Sequence, residues 1–302
     1  MQINRRFLAH FYMVLFLDYL ILPLIIMAGA AFNDSKLPTI VPWKGWTDRW
    51  FVDLWNDRNI WSSFVNTILV ALAVVAIAVP IGAAAAILVN SISGRVRSVM
   101  YGLMVAPILA PGAVIGIGTL LFWNSIGKGI TQAGDAAGLG HFVPRDLPYN
   151  IFGAGLHLSV LGQVSYIAAF VMLLVLARLQ SFDQGLEEAA LDLGANHGQV
   201  MRRILLPHLY PAIGAGAAIA FFQSIENFNV TLFTRGGSNT LTVYVFSKVR
   251  SGITPTINAL ALLLILATLS VAVIYEINRR RRAAITAMHE AEGRRADDSG
   301  IV

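Results

Sequence analysis

The sequence predicts an all-α polytopic membrane protein of six transmembrane helices, and three observations carry that prediction. Of its 302 residues, 56% are hydrophobic and only 13% charged, where a soluble domain carries about a quarter. Its mean hydropathy is +0.66. The apolar residues fall in long runs rather than amphipathic patterns, so the solvent for most of the chain is lipid.

A helix needs about 20 mostly apolar residues to cross a bilayer. Six runs qualify, at about 7–31, 60–91, 99–124, 153–178, 211–233 and 256–278. The first is too long for a signal-peptide core and reads as a retained span. Pro80 lies in the second run, Pro107 and Pro111 in the third. Prolines are tolerated in membrane bundles because neighbouring helices re-satisfy the freed backbone groups. Small residues are dense from Gly82 to Ala86 and from Gly214 to Ala218, which lets helices approach closely. Residues 1–282 therefore read as one membrane domain, followed by a charged, frayed tail over 283–302. No strong internal repeat is present.

Orientation follows from the basic residues. With the N-terminus inside, inner segments hold thirteen of the 22 lysines and arginines, including the short loop "SGRVRS" and the "NRRRR" that follows the last run. Both termini are thus expected in the cytoplasm. The same placement, at the edges of apolar runs, accounts for the net charge of +5 without nucleic acid. There is no cysteine, which excludes disulfides, thiol catalysis and thiolate metal sites. The six histidines are scattered without metal-ligand spacing.

The outer loops differ in character. The first, "VPWKGWTDRWFVDLWNDRNIW", suits an aromatic belt or a short interfacial helix at headgroup level, or a docking surface for a partner. The second, about 125–152, is glycine-rich and without periodicity.

Between the fourth and fifth runs, residues 181–207 break the apolar pattern. Leu186, Ala189, Ala190 and Leu193 fall at helical spacing, Glu187 and Glu188 suit the positive end of a helix dipole, and Asp192 is polar. Gly194 supplies a stop. A second short helix runs to Leu206, and Pro207 marks entry into the fifth span. The expected shape is a rigid two-helix elbow on the cytoplasmic face.

The spacing Glu188-Ala189-Ala190, three residues, Gly194, nine residues, Ile204, one residue, Leu206-Pro207 resembles the EAA motif of permease subunits of binding-protein-dependent ABC importers. "AAFNDS", "WKGWTDRW", "FVNTILVALAVVAIAVPIGAAAA", "APILAPGAVIGIGTLLF" and "VYVFSKVRSGITPTINALALLLI" are similar to permeases of the spermidine/putrescine-type subgroup. The outer loop at 125–152 departs from that subgroup in looking long. The resemblance implies a type I importer permease fold in a bacterial inner membrane. It also implies three partners: a second homologous permease, a dimer of ABC ATPase subunits and an external substrate-binding protein. The segment around Glu188 to Gly194 would seat in a cleft of the ATPase, with Glu187, Glu188, Ala189, Ala190, Asp192, Gly194, Ile204, Leu206 and Pro207 as the coupling set. ATP and Mg would be held by the partner ATPase, with no cofactor in this chain. The chain lacks the GxxxxGK[ST] phosphate cradle; its nearest approach is "GKGIT" at 127–131.

Charged residues inside spans are costly and face the bundle interior or a cavity. Asp18 is one, read as structural pairing. Glu226 is the other, roughly 22 Å beyond Pro211 on a helix rising ~1.5 Å per residue. Gln223, Glu226, Asn227 and Asn229 form a polar cluster, with the first three expected on one helix face. Interhelical hydrogen bonding accounts for such a cluster; so does the lining of a path, with Glu226 as counter-charge to a cationic solute. Polyamine permeases commonly carry adjacent acids in this region, where this chain has Glu226-Asn227. The missing carboxylate weakens a diamine assignment, so the expected cargo is a polyamine or another small amino-bearing solute. The competing readings are a channel or secondary carrier working without ATP, which leaves the elbow spacing unexplained, and a membrane enzyme, for which no catalytic cluster is visible.

Overall fold

The computed structural model describes residues 5–138, 151–252 and 254–299. Among these the regular elements are helices, with one isolated bridge between Asn33 and Trp46. In chain order they are α1 (Arg5–Phe32), α2 (Arg49–Asn56), α3 (Arg58–Ser91), α4 (Gly94–Leu109), α5 (Gly112–Ala136), α6 (Leu156–Leu179), α7 (Gln184–Asp192), α8 (His197–Val200), α9 (Leu206–Ile225), α10 (Asn229–Thr234), α11 (Leu241–Ser251) and α12 (Pro255–Ser299). Six helical stretches are long and apolar enough to span a bilayer: Leu8–Phe32, Arg58–Ser91, Gly112–Ala136, Leu156–Leu179, His197–Ile225 and Pro255–Arg281.

The chain forms two compact units. In the first, residues 1–57 with 248–302, α12 packs on α1 and α2. After α1 the chain turns around Asn33, which is fully buried. Its Nδ2 donates to the carbonyls of Thr39 (2.8 Å) and Pro42 (3.1 Å), and its Oδ1 accepts from Lys44 N–H (2.8 Å). Its carbonyl accepts from Trp50 Nε1 at 2.9 Å. A buried amide needs this many partners to offset its desolvation. The tryptophan-rich loop is therefore more than a belt: Trp43, Trp46 and Trp55 are exposed, but Trp50 turns inward on α2 as a pin. The Arg49–Asp34 ion pair at 3.2 Å is solvated and contributes about 0–1 kcal/mol. Asp18 is exposed on α1, and among the described residues no ion-pair partner accompanies it. The helix α12 continues to Ser299, where the sequence suggested a frayed tail from Ala283.

The second unit, residues 58–247, is built around α6, which touches α3, α4, α5, α9 and α10. Lipid tails are as apolar as leucine, so such helices associate through close packing rather than hydrophobic expulsion. The contact of α3 with α6 shows it: a Cβ on Gly82 would sit 2.5 Å from the Ala168 carbonyl oxygen and 2.7 Å from Val171 Cβ. Val74, Ala78 and Ala86 of α3 are fully buried along this contact, as are Ile167 and Val175 of α6. The helix α3 passes through Pro80 unbroken, as a membrane bundle allows.

Two of the expected spans need correction. The run at 99–124 is not one helix: α4 ends at Leu109 and α5 starts at Gly112. Ala110 is extended, with φ −80° and ψ 136°, because Pro111 disfavours the helical region for the residue before it. Pro107 has already removed one hydrogen bond from the last turn of α4. The third span is instead Gly112–Ala136, so residues 125–136 of the expected outer loop are helical. Residues 139–150 of that loop lie outside the described residues. The run at 211–233 is likewise divided. A helical stretch enters from His197, and α9 stops at Ile225, before α10 begins at Asn229.

Candidate functional site

Two places in the second unit gather the residues singled out by sequence. The first is the elbow between α6 and α9. Asp183 caps α7, its side chain accepting from Gly185 N–H at 2.9 Å. The helix closes on Gly194, whose φ of +87° suits a residue without Cβ. Ala195 N–H donates to Ala190 O (3.0 Å) and Gly194 N–H to Leu191 O (2.9 Å), the paired closure of a Schellman motif. Asn196 and Gln199 then form a capping box at the start of α8, with both bonds at 2.9 Å.

From α8 the chain passes through a wider turn, Met201–Leu205, in which Leu206 N–H reaches back to Met201 O. A π-turn of this kind absorbs the backbone mismatch that prolines introduce. The second leg therefore does not end at Leu206; it continues through Pro207 and Pro211 into α9. The elbow is rooted where α6 meets α9. Arg178 Nε donates to His208 O at 3.3 Å, and His208 Nε2 lies 3.4 Å from Arg178 O. Phe182 meets the His208 ring edge-on at 5.2 Å. Sequence reasoning missed Arg178, Phe182 and His208, since nothing in spacing links α6 to α9.

The structure sorts the candidate coupling residues. Glu187 lines a cavity of about 490 Å³ beneath the elbow, with Asn90, Gln180 and Met201. Glu188 and Ala189 are exposed and Ala190 half-buried. Asp192 is the last residue of α7 and exposed, at the end where a helix dipole disfavours an acid. The leucines of the apolar stripe are left uncovered by the described residues: Leu186 is 53% and Leu193 89% exposed. Ile204, Leu206 and Pro207 belong to the returning leg, the first two half-buried. The stretch "GKGIT" falls inside α5, so its backbone forms no loop to cradle phosphate.

The second place is a cavity of about 390 Å³. All four residues of the predicted polar cluster line it: Gln223, Glu226, Asn227 and Asn229. They do so by a route the sequence did not predict. Rather than sharing one helix face, they surround the break between α9 and α10, with Glu226 just past the end of α9 and Asn229 the first residue of α10. Asn227 stabilises the break. Its Oδ1 accepts from Val230 N–H (3.2 Å) and Thr231 N–H (3.3 Å), and its Nδ2 donates to the Tyr166 hydroxyl.

Behind Asn227, Gln163 holds both sides of the break to α6. It is fully buried; its Nε2 donates to Thr231 Oγ1 at 2.9 Å, and its Oε1 accepts from Ser224 Oγ at 2.6 Å. Ser159 and Thr234 make a further buried pair at 2.8 Å. The interhelical hydrogen bonding expected of the polar cluster thus belongs to Asn227. Glu226 and Asn229 are exposed toward the cavity mouth, and Glu226 is the one acid among the lining residues. Tyr166 and Phe170 of α6 complete the wall. Gln163 and Tyr166 were legible in part as polar groups within an apolar span, but their partners were not.

The described residues gather no group of three histidine, aspartate or glutamate side chains able to hold a metal.

Comparison with known proteins places this architecture. The profile of the family described as "Binding-protein-dependent transport system inner membrane component" matches residues 78–283. The putrescine transport system permease protein PotI of Escherichia coli (strain K12) is 32% identical over 250 residues, covering 82% of each chain. The spermidine/putrescine transport system permease protein PotC of Haemophilus influenzae is 25% identical over 279 residues, covering 92% of this chain and 98% of its own. Among solved structures, a bacterial ABC transporter involved in import of the acidic polysaccharide alginate superposes with a TM-score of 0.67 at 17% identity. That match covers 92% of this chain and 96% of the other, and concerns the fold alone.

Proposed function

The chain belongs to the family of binding-protein-dependent transport system inner membrane components, and from that membership we propose that its cargo is a polyamine or another small amino-bearing solute. It is a multi-pass membrane protein and a permease subunit of an ABC importer. The cavity at the α9–α10 break is the chain's share of the solute path, with Gln223, Glu226, Asn227 and Asn229 as its polar wall. The observation that carries this reading is Glu226, a lone exposed carboxylate among amides and aromatic rings. A carboxylate there offers an ammonium group a charge-assisted hydrogen bond, and Tyr166 and Phe170 offer it aromatic faces. PotI, a putrescine permease protein, and PotC, a spermidine/putrescine one, support the same cargo class. A single acid serves one ammonium, which is why other small amino-bearing compounds remain within the proposal.

A second permease supplies the facing wall, and an external binding protein delivers the solute. The elbow is the handle for a dimer of ATPase subunits, which hold ATP and Mg; this chain contributes neither cofactor nor catalysis. Support comes from the exposed Leu186 and Leu193 on a helix closed at both ends by its own caps, and from Asp192, an acid that its own helix does not favour. Glu188 and Asp192 provide charged contacts, Ala189 and Ala190 keep the seated face thin, and Gly194 sets the angle. The returning leg through Ile204, Leu206 and Pro207 passes movement into α9. Both termini are cytoplasmic on the evidence of the basic residues.

The test is purification and reconstitution. The chain is expected to co-purify with a second permease and an ATPase bearing the phosphate-binding loop, and to support putrescine uptake only with ATP and binding protein. Uptake that persists without either would overturn this reading in favour of a stand-alone carrier.

A further inference from the structure

A second cavity, of about 480 Å³, lies between α4 and the elbow end of α6. It is continuous in register with the Glu226 cavity. On α6, Tyr166 and Phe170 line the first cavity, while Leu173, Ala177 and Gln180 line the second. Successive steps of four, three, four and three residues put all five on one face of the helix. The helix α4 repeats the pattern, with Ile108 on the first cavity and Tyr101 and Arg97 on the second. The two cavities therefore lie on one line along this face of α6, a groove from the α9–α10 break to the elbow end, about 20 Å long, interrupted midway where Met104 and Val105 of α4 pack against the core.

The two ends of this groove carry opposite charge. The first holds Glu226; the second holds Arg97 and no acid. Arg97 is half-buried in the wall, whereas its neighbour Arg95 is exposed. Among the described residues Arg97 has neither ion-pair partner nor hydrogen bond, so none of them neutralises its charge. A guanidinium is always protonated, and at a partly desolvated site its field extends over several ångströms.

We infer that Arg97 is an electrostatic barrier at the inner end of the solute path, keeping cytosolic cations from re-entering the groove once the solute has been released. This rests on the reading of the Glu226 cavity as part of that path. A cation moving inward leaves a counter-charge at Glu226 and meets none at the second cavity, so it is not retained there. A cation approaching from the cytosol meets Arg97 first, and its local concentration in the groove is lowered.

The test uses the complete importer in proteoliposomes loaded with ATP, with binding protein and labelled putrescine outside and increasing unlabelled putrescine in the lumen. ATP in the lumen powers only complexes whose cytoplasmic side faces inward. Each variant's uptake without lumenal putrescine is its own reference. R97Q is expected to lower the half-inhibitory lumenal putrescine concentration by a factor on the order of three to ten. R97E should lower it further, and R97K should match the wild type. If R97Q and R97E are inhibited no more readily than wild type, Arg97 is an interfacial anchor and the barrier is overturned. An equal effect in R97K, which keeps the charge, overturns it as well. The path reading fails separately, and visibly, if E226Q takes up external putrescine with unchanged concentration dependence.

Discussion

Ser224 Oγ donates to Gln163 Oε1 across 2.6 Å in the interior of the bundle. This bond ties the last turn of α9 to the third turn of α6, while the other end of the same amide holds Thr231 of α10 at 2.9 Å. A helix that stops inside a membrane leaves backbone and side-chain groups that lipid cannot satisfy. Gln163 supplies two of the missing partners, and Asn227 Oδ1 supplies one for the Val230 and Thr231 N–H groups. The open cavity in front of Glu226 exists because this break is held from behind.

Replacing Gln163 with leucine should therefore strand Ser224 without its partner and leave Thr231 Oγ1 only its longer bond to Asn227 Oδ1, at 3.3 Å. The expected loss is about 1–3 kcal/mol, the desolvation cost of leaving a buried polar group unpaired. Thermal unfolding of the detergent-solubilised complex measures it. An unchanged midpoint would mean the break is held by other contacts.

The Glu226→Gln substitution removes the charge from the cavity but leaves a similar shape. Loss of a charge-assisted hydrogen bond to an ammonium is worth about 1.5–3 kcal/mol, or on the order of ten- to hundredfold in apparent affinity. Uptake of putrescine against concentration should show it, with Glu226→Asp retaining part of the affinity. Identical curves for the glutamine variant and wild type would remove Glu226 from the path.

At the elbow, Gly194→Val forces a β-branched residue into φ +87°, a region L side chains rarely adopt. The turn should open while the spans remain inserted. Membrane fractionation is expected to find normal amounts of the chain, with ATP-driven uptake abolished. Glu188→Lys should act in the same direction by reversing an exposed contact charge. Normal uptake in both variants would sink the role proposed for the elbow.

The packing of α3 on α6 gives a structural control. Gly82→Ala places a methyl 2.5 Å from the Ala168 carbonyl oxygen, whereas a Cβ on Gly214 meets nothing within 4 Å. Overpacking of this kind costs about 1–3 kcal/mol. The Gly82 variant should lower the thermal midpoint and the Gly214 variant should not. Equal midpoints would show that α3 can shift to relieve the contact.

The sequence determined the number of spans, the family and the position of the elbow, because each depends on local chemistry. Twenty apolar residues in a row can satisfy their backbone only as a spanning helix. Gly194 and the Asn196–Gln199 box shape their turns with neighbours a few residues away. Local rules also named the four polar residues of the cavity, since polar groups stand out in an apolar run. What they missed is how those residues meet. A helix wheel put Gln223, Glu226 and Asn227 on one face, yet α9 stops at Ile225, and the break is held by Gln163 and Tyr166, about 60 positions earlier, through bonds to Ser224, Thr231 and Asn227. The groove from Glu226 to Arg97 is of the same kind. Its two ends lie about 130 residues apart in the chain and share a wall only because α4 packs on one face of α6. Hydrogen bonds and packing between distant segments leave no periodic trace in either segment, so only the tertiary structure could decide them.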